Sequence, residues 1–469
     1  MIDLVRRVPP GRPAIVDAAT REELTYGALL ERAGSAAAML REAAGGRAAI
    51  FLVANQDVGA VVLYLAALTA DLPVALLEPQ PAALGQLAQA YAPALLVLPT
   101  PLAPPPGYVQ CGEPDPGYVL WRTASRAERA PHAELALLLS TSGSTGSPKL
   151  VRLAARNLAA NALSIAEYLE IGPEERAIAS LPLNYSYGLS VLNSHLAVGA
   201  ALVLVPHSFV RPEFWAAVDE HRCTSFAGVP FMYETLHRLR LDPRRHPTLR
   251  TFTQAGGALR PELIRHFCDL TRAAGARLFV MYGQTEASPR MAYVPPEELP
   301  RKIGSIGIAI PRGHMHLEPV AGMNGAREIV YEGPNVMMGY AEGPADLELP
   351  DTQDGTLRTG DLGNEDADGY FFVTGRLKRF AKLFGRRVNL EDVERALEER
   401  FGPAVAAFDG GDRIVVATGA DGEVHVDAMR AHVAHVLAVP PSAVEVRAFA
   451  ALPRSPSGKK NYRAIEAML

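Results

Sequence analysis

A run of hydroxyl and glycine residues, STSGSTGSPK at 140–149, has the composition of a phosphate-binding loop. Gly143 and Gly146 let the backbone turn so that amides point into one concavity, and Lys149 adds positive charge. A flexible Ser/Gly linker is the alternative, but linkers rarely lie between two apolar strands. An NTPase P-loop would have Gly-Lys followed by Ser or Thr and a helix, whereas Pro148 precedes Lys149 and the strand-like LVRL follows.

A second polar segment, VMYGQTEAS at 280–288, ends a strand-like run. Tyr282 offers an aromatic face for a base, Gly283 allows a turn, and Thr285 can donate to phosphate. Glu286 supplies a carboxylate, the ligand type that Mg²⁺ prefers. Strands that end in polar turns are common, so this segment indicates a nucleotide site only in combination with the first run.

Three further segments contain residues that are weaker indications of a functional site. Gly256 and Gly257 in QAGGALRPEL precede a predicted helix and could be no more than a tight helix entry. Asp361 in TGDLG could accept from both hydroxyls of a ribose, although an Asp in a loop is usually solvated. Lys459 lies in the polar segment LPRSPSGKKNYR, where a charge is ordinarily surface.

The elements that must position these residues follow an α/β pattern. Apolar runs at 48–53, 75–77 and 94–97 alternate with a helical stretch at 24–41, which predicts layered α/β structure. Strands at 133–140 and 201–205 and helices after residue 157 and at 260–274 continue it. The proline-dense segment 99–116 is expected to be a loop.

The pattern changes after residue 304. Short strands with Gly and Asp-Gly turns predict a small antiparallel β unit. Beyond residue 377 we expect a helix at 390–400, a strand at 413–418, a helix at 426–437 and a polar terminal loop. This last part has the size of a small separate domain.

Bulk properties exclude several kinds of partner. The chain has 469 residues and a net charge of −5, so nucleic acid is not expected as a partner. The apolar stretch at 58–70 is too short to cross a bilayer, and Pro9 and Pro10 leave no apolar signal core. We therefore expect a cytoplasmic protein without a membrane span.

Cysteine and lysine usage adds two expectations. Cys111, Cys223 and Cys268 have neither disulfide-frame nor zinc-site spacing and are expected to be reduced, buried thiols. Of 46 basic residues only six are lysines, so a lysine here hints at a need for a compact ammonium. The six are Lys149, Lys302, Lys378, Lys382, Lys459 and Lys460.

Taken in order, these motifs resemble the adenylate-forming superfamily of acyl-CoA synthetases, luciferases and adenylation domains of peptide synthetases. The resemblance covers nearly the whole chain. It implies ATP and Mg²⁺ as ligands, Glu286 as the metal ligand, and Lys459 and Thr285 as catalytic residues at the carboxylate and α-phosphate. The implied ATP-binding residues are Thr141, Ser142, Gly143, Ser144, Thr145, Gly146, Lys149, Gly256, Gly257, Ala258, Tyr282, Gly283, Gln284, Asp361 and Arg376.

The resemblance also implies a domain organisation. Residues 1–375 form a large N-terminal domain of layered α/β subdomains plus the small β unit, and residues 380–469 form a small mobile α+β lid. Residues 376–379 are the hinge, with Lys378 as its pivot. Lys382 and Gly385 lie on the loop that serves the thiol step after the lid rotates.

The sequence departs from the family pattern in LPLNYSYGLS at 181–190. Amino-acid-activating members have an Asp and many acyl-CoA synthetases a His at the position that matches Tyr185. Without a nearby acid, a buried substrate ammonium would lack a partner, so an α-amino acid is disfavoured and a neutral acyl or aryl acid fits better. Tyr185 and Tyr187 are the candidate substrate-binding residues, with a role as core aromatics left open.

The implied reaction has two half-reactions, formation of an acyl-adenylate and transfer of the acyl group to a thiol. Coenzyme A is the expected thiol. The pantetheine arm of a separate carrier protein is the alternative acceptor. A non-catalytic nucleotide-binding regulator is the alternative of another class, and it would leave Lys459 without a role.

Overall fold

A computed structural model describes residues 1–123, 130–140, 149–321, 323, 325–377, 379–384, 386–402, 404–419, 425–454 and 460–469, without the side chains of 382, 386 and 387. The chain forms two compact units. The first contains residues 1–315 and 331–357, and the second contains residues 316–330 and 358–469.

The strands within the described residues are β1 (Pro13–Asp17), β2 (Glu23–Thr25), β3 (Ile50–Val53), β4 (Val74–Leu77), β5 (Leu95–Pro99), β6 (Tyr108–Asp115), β7 (Tyr118–Thr123), β8 (Leu135–Ser140), β9 (Leu150–Ala154), β10 (Arg176–Ile178), β11 (Ala201–Leu204), β12 (Ser225–Gly228), β13 (Thr251–Gln254), β14 (Arg277–Gly283), β15 (Arg290–Val294), β16 (Ile308–Ala309), β17 (His314–Pro319), β18 (Arg327–Glu332), β19 (Gly339–Ala341), β20 (Thr356–Glu365), β21 (Phe371–Arg376), β22 (Phe380–Leu383), β23 (Arg386–Asn389), β24 (Val405–Asp409), β25 (Ile414–Gly419) and β26 (Val444–Phe449).

The helices within the same residues are α1 (Ile2–Arg6), α2 (Tyr26–Ala44), α3 (Val58–Ala70), α4 (Pro81–Tyr91), α5 (Ala155–Leu169), α6 (Ser186–Ala197), α7 (Pro212–Glu220), α8 (Pro230–Arg238), α9 (Pro261–Ala273), α10 (Leu390–Phe401), α11 (Val426–Leu437) and α12 (Tyr462–Glu466). In the described part of the chain, none of them combines the length and the apolar character that a bilayer crossing requires.

Two sheets organise the first unit. One has the strand order β16-β15-β14-β13-β12-β10-β11-β1-β2, and the other has β19-β9-β8-β4-β3-β5-β7-β6. The central strands are parallel and buried, which their continuous apolar runs predict, as in IFLV of β3 and VALL of β4. The expected α/β fold is therefore confirmed.

Local sequence signals set where helices α2 and α5 begin or end. Helix α2 begins where the Thr25 side chain accepts from the Ala28 amide, and it ends at Gly45 in the left-handed conformation. Helix α5 follows β9 directly, and its Asn157 side chain accepts from the Ala154 amide at 2.8 Å. This hydrogen bond turns the chain sharply from strand to helix.

Two expectations were wrong. The segment 99–116 is not all loop, because β6 pairs with β7 at the edge of the sheet. Its register shifts twice, and an edge strand tolerates Pro114 because it needs no ladder hydrogen bond on its outer side. Cys111 lies on this edge and is exposed, whereas Cys223 and Cys268 are buried as expected.

The second unit contains the sheet β17-β18-β20-β21, the hairpin β22-β23 and the sheet β24-β25-β26. Helices α10 and α11 supply Val393, Leu397 and Val433 to a core with Val416 and Val446. The antiparallel unit after residue 304 and the helices and strand predicted beyond residue 377 are present.

Arg152 ties β9 to β19 and to the segments before and after β19. Its side chain is 1% exposed. The guanidinium donates to the carbonyls of Tyr340 at 3.1 Å and Met338 at 3.0 Å, and also to those of Leu349 and Pro350. A buried cation satisfied by four carbonyls fixes the strand that begins just after Lys149.

We expect Arg152→Met to lower the free energy of unfolding of the first unit by about 3–5 kcal/mol, because four buried carbonyls lose their donor. The measurement is urea denaturation followed by tryptophan fluorescence. Arg156→Met is the matched control, since Arg156 is 45% exposed and its ion pairs are at the surface, where about 1 kcal/mol or less is expected. Equal effects of the two changes would contradict this role.

Candidate active site

Lys149 ends the hydroxyl-rich run and is followed by β9. Its Nζ lies 3.5 Å from the centre of the Tyr340 ring and 4.0 Å from a carboxylate oxygen of Glu342. A strand thus stands where an NTPase P-loop would have a helix. The other residues predicted in this loop, Thr141, Ser142, Gly143, Ser144, Thr145 and Gly146, lie outside the described residues.

Tyr340 connects Lys149 to Glu286. Its hydroxyl donates to Oε1 of Glu286 at 2.7 Å. Burial, together with the Glu286 carboxylate, raises the pKa of Tyr340 above its ordinary value, so the side chain donates as a neutral phenol. One aromatic ring thus holds an ammonium against its face and a carboxylate at its hydroxyl.

The turn that carries Thr285 and Glu286 lies between β14 and β15. A Cβ at Gly283 would come within 1.9 Å of the Pro289 carbonyl oxygen, so only glycine fits there. The amide of Met337 donates to the Glu286 carbonyl at 2.8 Å. Gln284 and Tyr282 are half-buried, and Nε2 of Gln284 lies 3.4 Å from the Tyr282 hydroxyl.

Asn335 holds the other end of this turn. Its Nδ2 donates to the carbonyls of Ala287 at 2.6 Å and Arg290 at 2.8 Å. The Tyr331 hydroxyl donates to Asn335 Oδ1, and the Ser288 hydroxyl donates to the Asn335 carbonyl, both at 2.8 Å. Because the buried Asn335 side chain has its donors and its acceptor hydrogen-bonded, it holds the turn in a single conformation.

Thr285 faces the beginning of α6, where its Oγ1 lies 3.2 Å from Oγ of Ser186. Tyr185 precedes this helix and packs edge-on against Tyr187, with ring centroids 6.2 Å apart. Gly256 has a φ of +86°, and a Cβ there would lie 2.5 Å from the Tyr185 hydroxyl. The close contact with Tyr185 is therefore sufficient to explain why residue 256 is a glycine.

Gly257 and Ala258 are exposed, so a ligand can reach the backbone there. Tyr187, in contrast, is 2% exposed, and its hydroxyl lies 2.8 Å from Oγ1 of Thr253. Burial raises the pKa of Tyr187 to about 12. Its surroundings are those of a core aromatic, the alternative that the sequence left open.

Arg290 begins β15 and is 3% exposed. Its guanidinium carbon lies 4.3 Å from the centre of the Tyr187 ring, and Nη2 donates to the Ser190 hydroxyl at 3.1 Å. Within the described residues its Nε has no acceptor and no carboxylate forms an ion pair with it, while the Tyr168 hydroxyl is a further hydrogen-bond partner of the side chain. Burying an ion costs several kcal/mol, whereas a desolvated cation–π contact returns about 2 kcal/mol.

A second group of predicted residues lies in the second unit. Asp361 and Arg376 are directly opposite each other in the antiparallel pair β20-β21, and Arg376 Nε lies 2.9 Å from Oδ1 of Asp361. Arg376 Nε also lies 3.7 Å from Oε1 of Glu391. Burial raises the pKa of Glu391.

The remaining predicted residues, Lys459, Lys378, Gly385 and the Lys382 side chain, lie outside what the structure describes. Lys460 is described, and its Nζ donates to carboxylate oxygens of Glu394 and Glu398, both at 2.7 Å. Burial lowers the pKa of Lys460, but these carboxylates raise it more, so the net shift is upward.

Three residues of this region were missed in the sequence: Tyr340, Asn335 and Arg290. Tyr340 and Asn335 belong to the segment GPNVMMGY, which is far along the chain from the turn that they hold. A signal for Arg290 was present, since RMAYV places one charge at the start of an apolar strand.

Comparisons with known proteins identify the family of this chain. The AMP-binding enzyme family matches residues 4–341. The chain is 35% identical over 341 residues to sulfoacetate–CoA ligase of Cupriavidus necator, covering 69% of this chain and 65% of that protein. It is 32% identical over 308 residues to indoleacetate–CoA ligase of Aromatoleum aromaticum, covering 63% and 58%. The chain thus spans less than two thirds of these relatives.

Two solved structures share the fold. The o-succinylbenzoate CoA synthetase of Bacillus subtilis, in complex with its acyl-adenylate intermediate, has a TM-score of 0.79 at 22% identity and covers 98% of this chain and 96% of its own. ATP-bound MatB from Rhodopseudomonas palustris has a TM-score of 0.79 at 24% identity and covers 100% and 98%. With the family match over residues 4–341, the chain belongs to the AMP-binding enzyme family.

Proposed function

We propose that this chain is an ATP-dependent carboxylic acid ligase that forms an acyl-adenylate and then a thioester. The observation that carries the proposal is the arrangement of Lys149, Tyr340 and Glu286, which places a cation for phosphate oxygens near a carboxylate for Mg²⁺. The family match supports it. The named relatives act on acids as different as sulfoacetate, indoleacetate and oxalate, so they do not fix the acid.

In the first half-reaction a carboxylate oxygen attacks the α-phosphorus of ATP, and the bond to the bridging oxygen breaks as pyrophosphate leaves. A carboxylate is already ionised at neutral pH, so no general base is required. Thr285 and Lys459 donate to the oxygens on which charge develops. Because Lys460 is held by two glutamates, Lys459 is the lysine of the pair that we assign to this role.

Glu286 is the proposed Mg²⁺ ligand. Its Oε1 is held by Tyr340, and its second carboxylate oxygen fits the hard-ligand preference of the ion. When bound, Mg²⁺ would neutralise charge on the phosphates. Tyr340 keeps the carboxylate oriented before the ion arrives.

In the second half-reaction a thiol sulfur attacks the acyl carbon, the bond to AMP breaks, and the thiol proton is lost. We propose coenzyme A as the thiol, with the pantetheine arm of a separate carrier protein as the alternative. We also propose residues 376–379 as the hinge between 1–375 and 380–469, with Lys378 its pivot and Lys382 and Gly385 serving this step. Asp361 and Arg376 are proposed contacts of ribose and nucleotide.

The function is tested by pyrophosphate release over a panel of fatty, aryl, amino and dicarboxylic acids, with and without coenzyme A. Release with at least one acid, and thioester formation only when coenzyme A is present, is the expected result. Adenylate without thioester would point to a carrier protein. No release and no ATP–pyrophosphate exchange with any acid would support the nucleotide-binding regulator.

We expect Glu286→Gln to raise the Mg²⁺ concentration for half-maximal adenylation, because the change keeps size and removes the charge that binds the ion. The measurement is initial pyrophosphate release against Mg²⁺ concentration at saturating ATP. Glu297→Gln is the matched control, since Glu297 is exposed in the connection after β15. A metal dependence unchanged in Glu286→Gln would remove this residue from the site.

We expect Lys459→Ala to slow acyl-adenylate formation by on the order of 10²-fold or more, the effect of removing one transition-state donor. Thioester formation from a supplied acyl-adenylate should persist, because that step does not use Lys459. Both rates are measured in single turnovers by rapid quench. Equal loss of both would indicate a structural role or a role in both steps.

A further inference from the structure

Arg290 is a buried cation whose charge the described protein leaves uncompensated. Its guanidinium contacts the Tyr187 ring and the hydroxyls of Ser190 and Tyr168, and its Nε has no acceptor in the part of the chain that the structure describes. Arg152 shows the contrasting case, because four carbonyls accept from its buried guanidinium. A buried guanidinium without such acceptors is suited to an anion that arrives with a ligand.

The guanidinium borders a cavity. The cavity has a volume of about 30 Å³, room for about two water-sized groups, and hydroxyl residues Ser190, Ser194 and Thr253 line it with Arg290. Glu175 also lines it, but that carboxylate accepts from Arg250 at 2.7 Å. The lining therefore combines the Arg290 cation, which has no ion pair among the described residues, with neutral hydroxyls and with a carboxylate that is paired to Arg250.

His195 is a further titratable residue of the lining, in addition to Glu175 and Tyr187. Its Nδ1 lies 2.8 Å from the Val191 carbonyl oxygen, and burial lowers the pKa of His195 to about 4. The ring is neutral at pH 7 and contributes neither a second cation nor an anion. Arg290 thus sets the charge preference of the cavity.

The position of Arg290 relative to Thr285 limits the length of the ligand. Ser186 lies beside Thr285, and Ser190, which lies beside Arg290, is four residues further along α6. Four helical residues rise about 6 Å. The side-chain amides of Asn161 and Asn335 donate to the Arg290 carbonyl and keep this spacing fixed.

We propose that Arg290 binds a second anionic group of the substrate, so that the acid activated by this chain is a short acid that carries a further carboxylate or sulfonate. The inference rests on the proposed function and names its substrate class. It departs from the uncharged acyl or aryl part that Tyr185 favoured in the sequence. A carboxylate, and likewise two of the three oxygens of a sulfonate, can accept the paired N–H donors of a guanidinium.

The test compares acids of matched length with the full chain, ATP and Mg²⁺. Propanoate, butanoate and benzoate form the singly charged arm, and malonate, succinate and sulfoacetate form the doubly charged arm. Pyrophosphate release is measured, with hydroxylamine present to trap the adenylate. We expect kcat/KM to be at least about 10²-fold higher for the best doubly charged acid, because a site built for a polar group rejects acids that lack it.

The variants assign the preference to Arg290. Arg290→Gln should lower kcat/KM for doubly charged acids by on the order of 10²-fold and leave singly charged acids unchanged, and Arg290→Lys should recover part of the loss. Arg277→Gln is the matched control, because Arg277 is 39% exposed and lies 5.4 Å from the centre of the Phe279 ring. Thermal unfolding checks that each variant folds, and where Arg290→Gln does not, the wild-type panel decides alone.

A wild-type enzyme that uses singly charged acids as well as doubly charged ones would overturn the inference and leave the proposed function standing. An Arg290→Gln enzyme that loses both arms equally would also overturn it. Absence of pyrophosphate release with all acids in the wild type would contradict the proposed function itself, and the inference would fall with it.

Discussion

The hydrogen bond from Tyr340 to Glu286 joins the two sheets of the first unit at the site. Tyr340 lies in β19 of one sheet, beside β9 and Lys149, and Glu286 lies in the turn after β14 of the other. Through Tyr340, the Lys149 ammonium and the Glu286 carboxylate, for which we propose phosphate and Mg²⁺ binding, are held on the same ring. Arg152 stabilises the position of Tyr340, because its hydrogen bonds to the Tyr340 and Met338 carbonyls hold the strand that carries Tyr340.

The turn at 284–290 carries residues of both proposals, the nucleotide and metal contacts and the anion contact. Its first half presents Thr285 and Glu286, and its last residue is Arg290. Asn335 binds carbonyls near both the middle and the end of the turn. The backbone of the turn is therefore held at both points, which keeps the spacing of Thr285, Glu286 and Arg290 fixed.

Local sequence patterns predict many of the strands and part of the candidate site. Apolar runs gave the buried parallel strands, and the segment VMYGQTEAS indicated a nucleotide site at the end of a strand. Contacts between residues that are far apart in the sequence could not be predicted from it. Asp361 and Arg376 were both singled out, but their cross-strand ion pair depends on the register of β20 and β21, which composition does not specify.

Tyr340 and Arg290 were missed for the same reason. Tyr340 is one aromatic in a strand, and only the fold brings Lys149 and Glu286 to it. The meaning of Arg290 lies in what surrounds it, since an arginine in a strand is informative only once its burial and its lack of a carboxylate among the described residues are known. The prolines of 99–116 predict a loop, because central strands exclude proline. The edge strand β6 nevertheless forms there, since edge strands tolerate proline.

The central claim is that a carboxylate oxygen attacks the α-phosphorus of ATP. An acid labelled with ¹⁸O in its carboxyl group tests this most directly when it is turned over with ATP and coenzyme A and the products are analysed by mass spectrometry. The account predicts that AMP carries a single ¹⁸O from the acid, because the attacking oxygen stays on the phosphorus when the thiol displaces AMP. Unlabelled AMP, or label in inorganic phosphate with release of ADP, would contradict it.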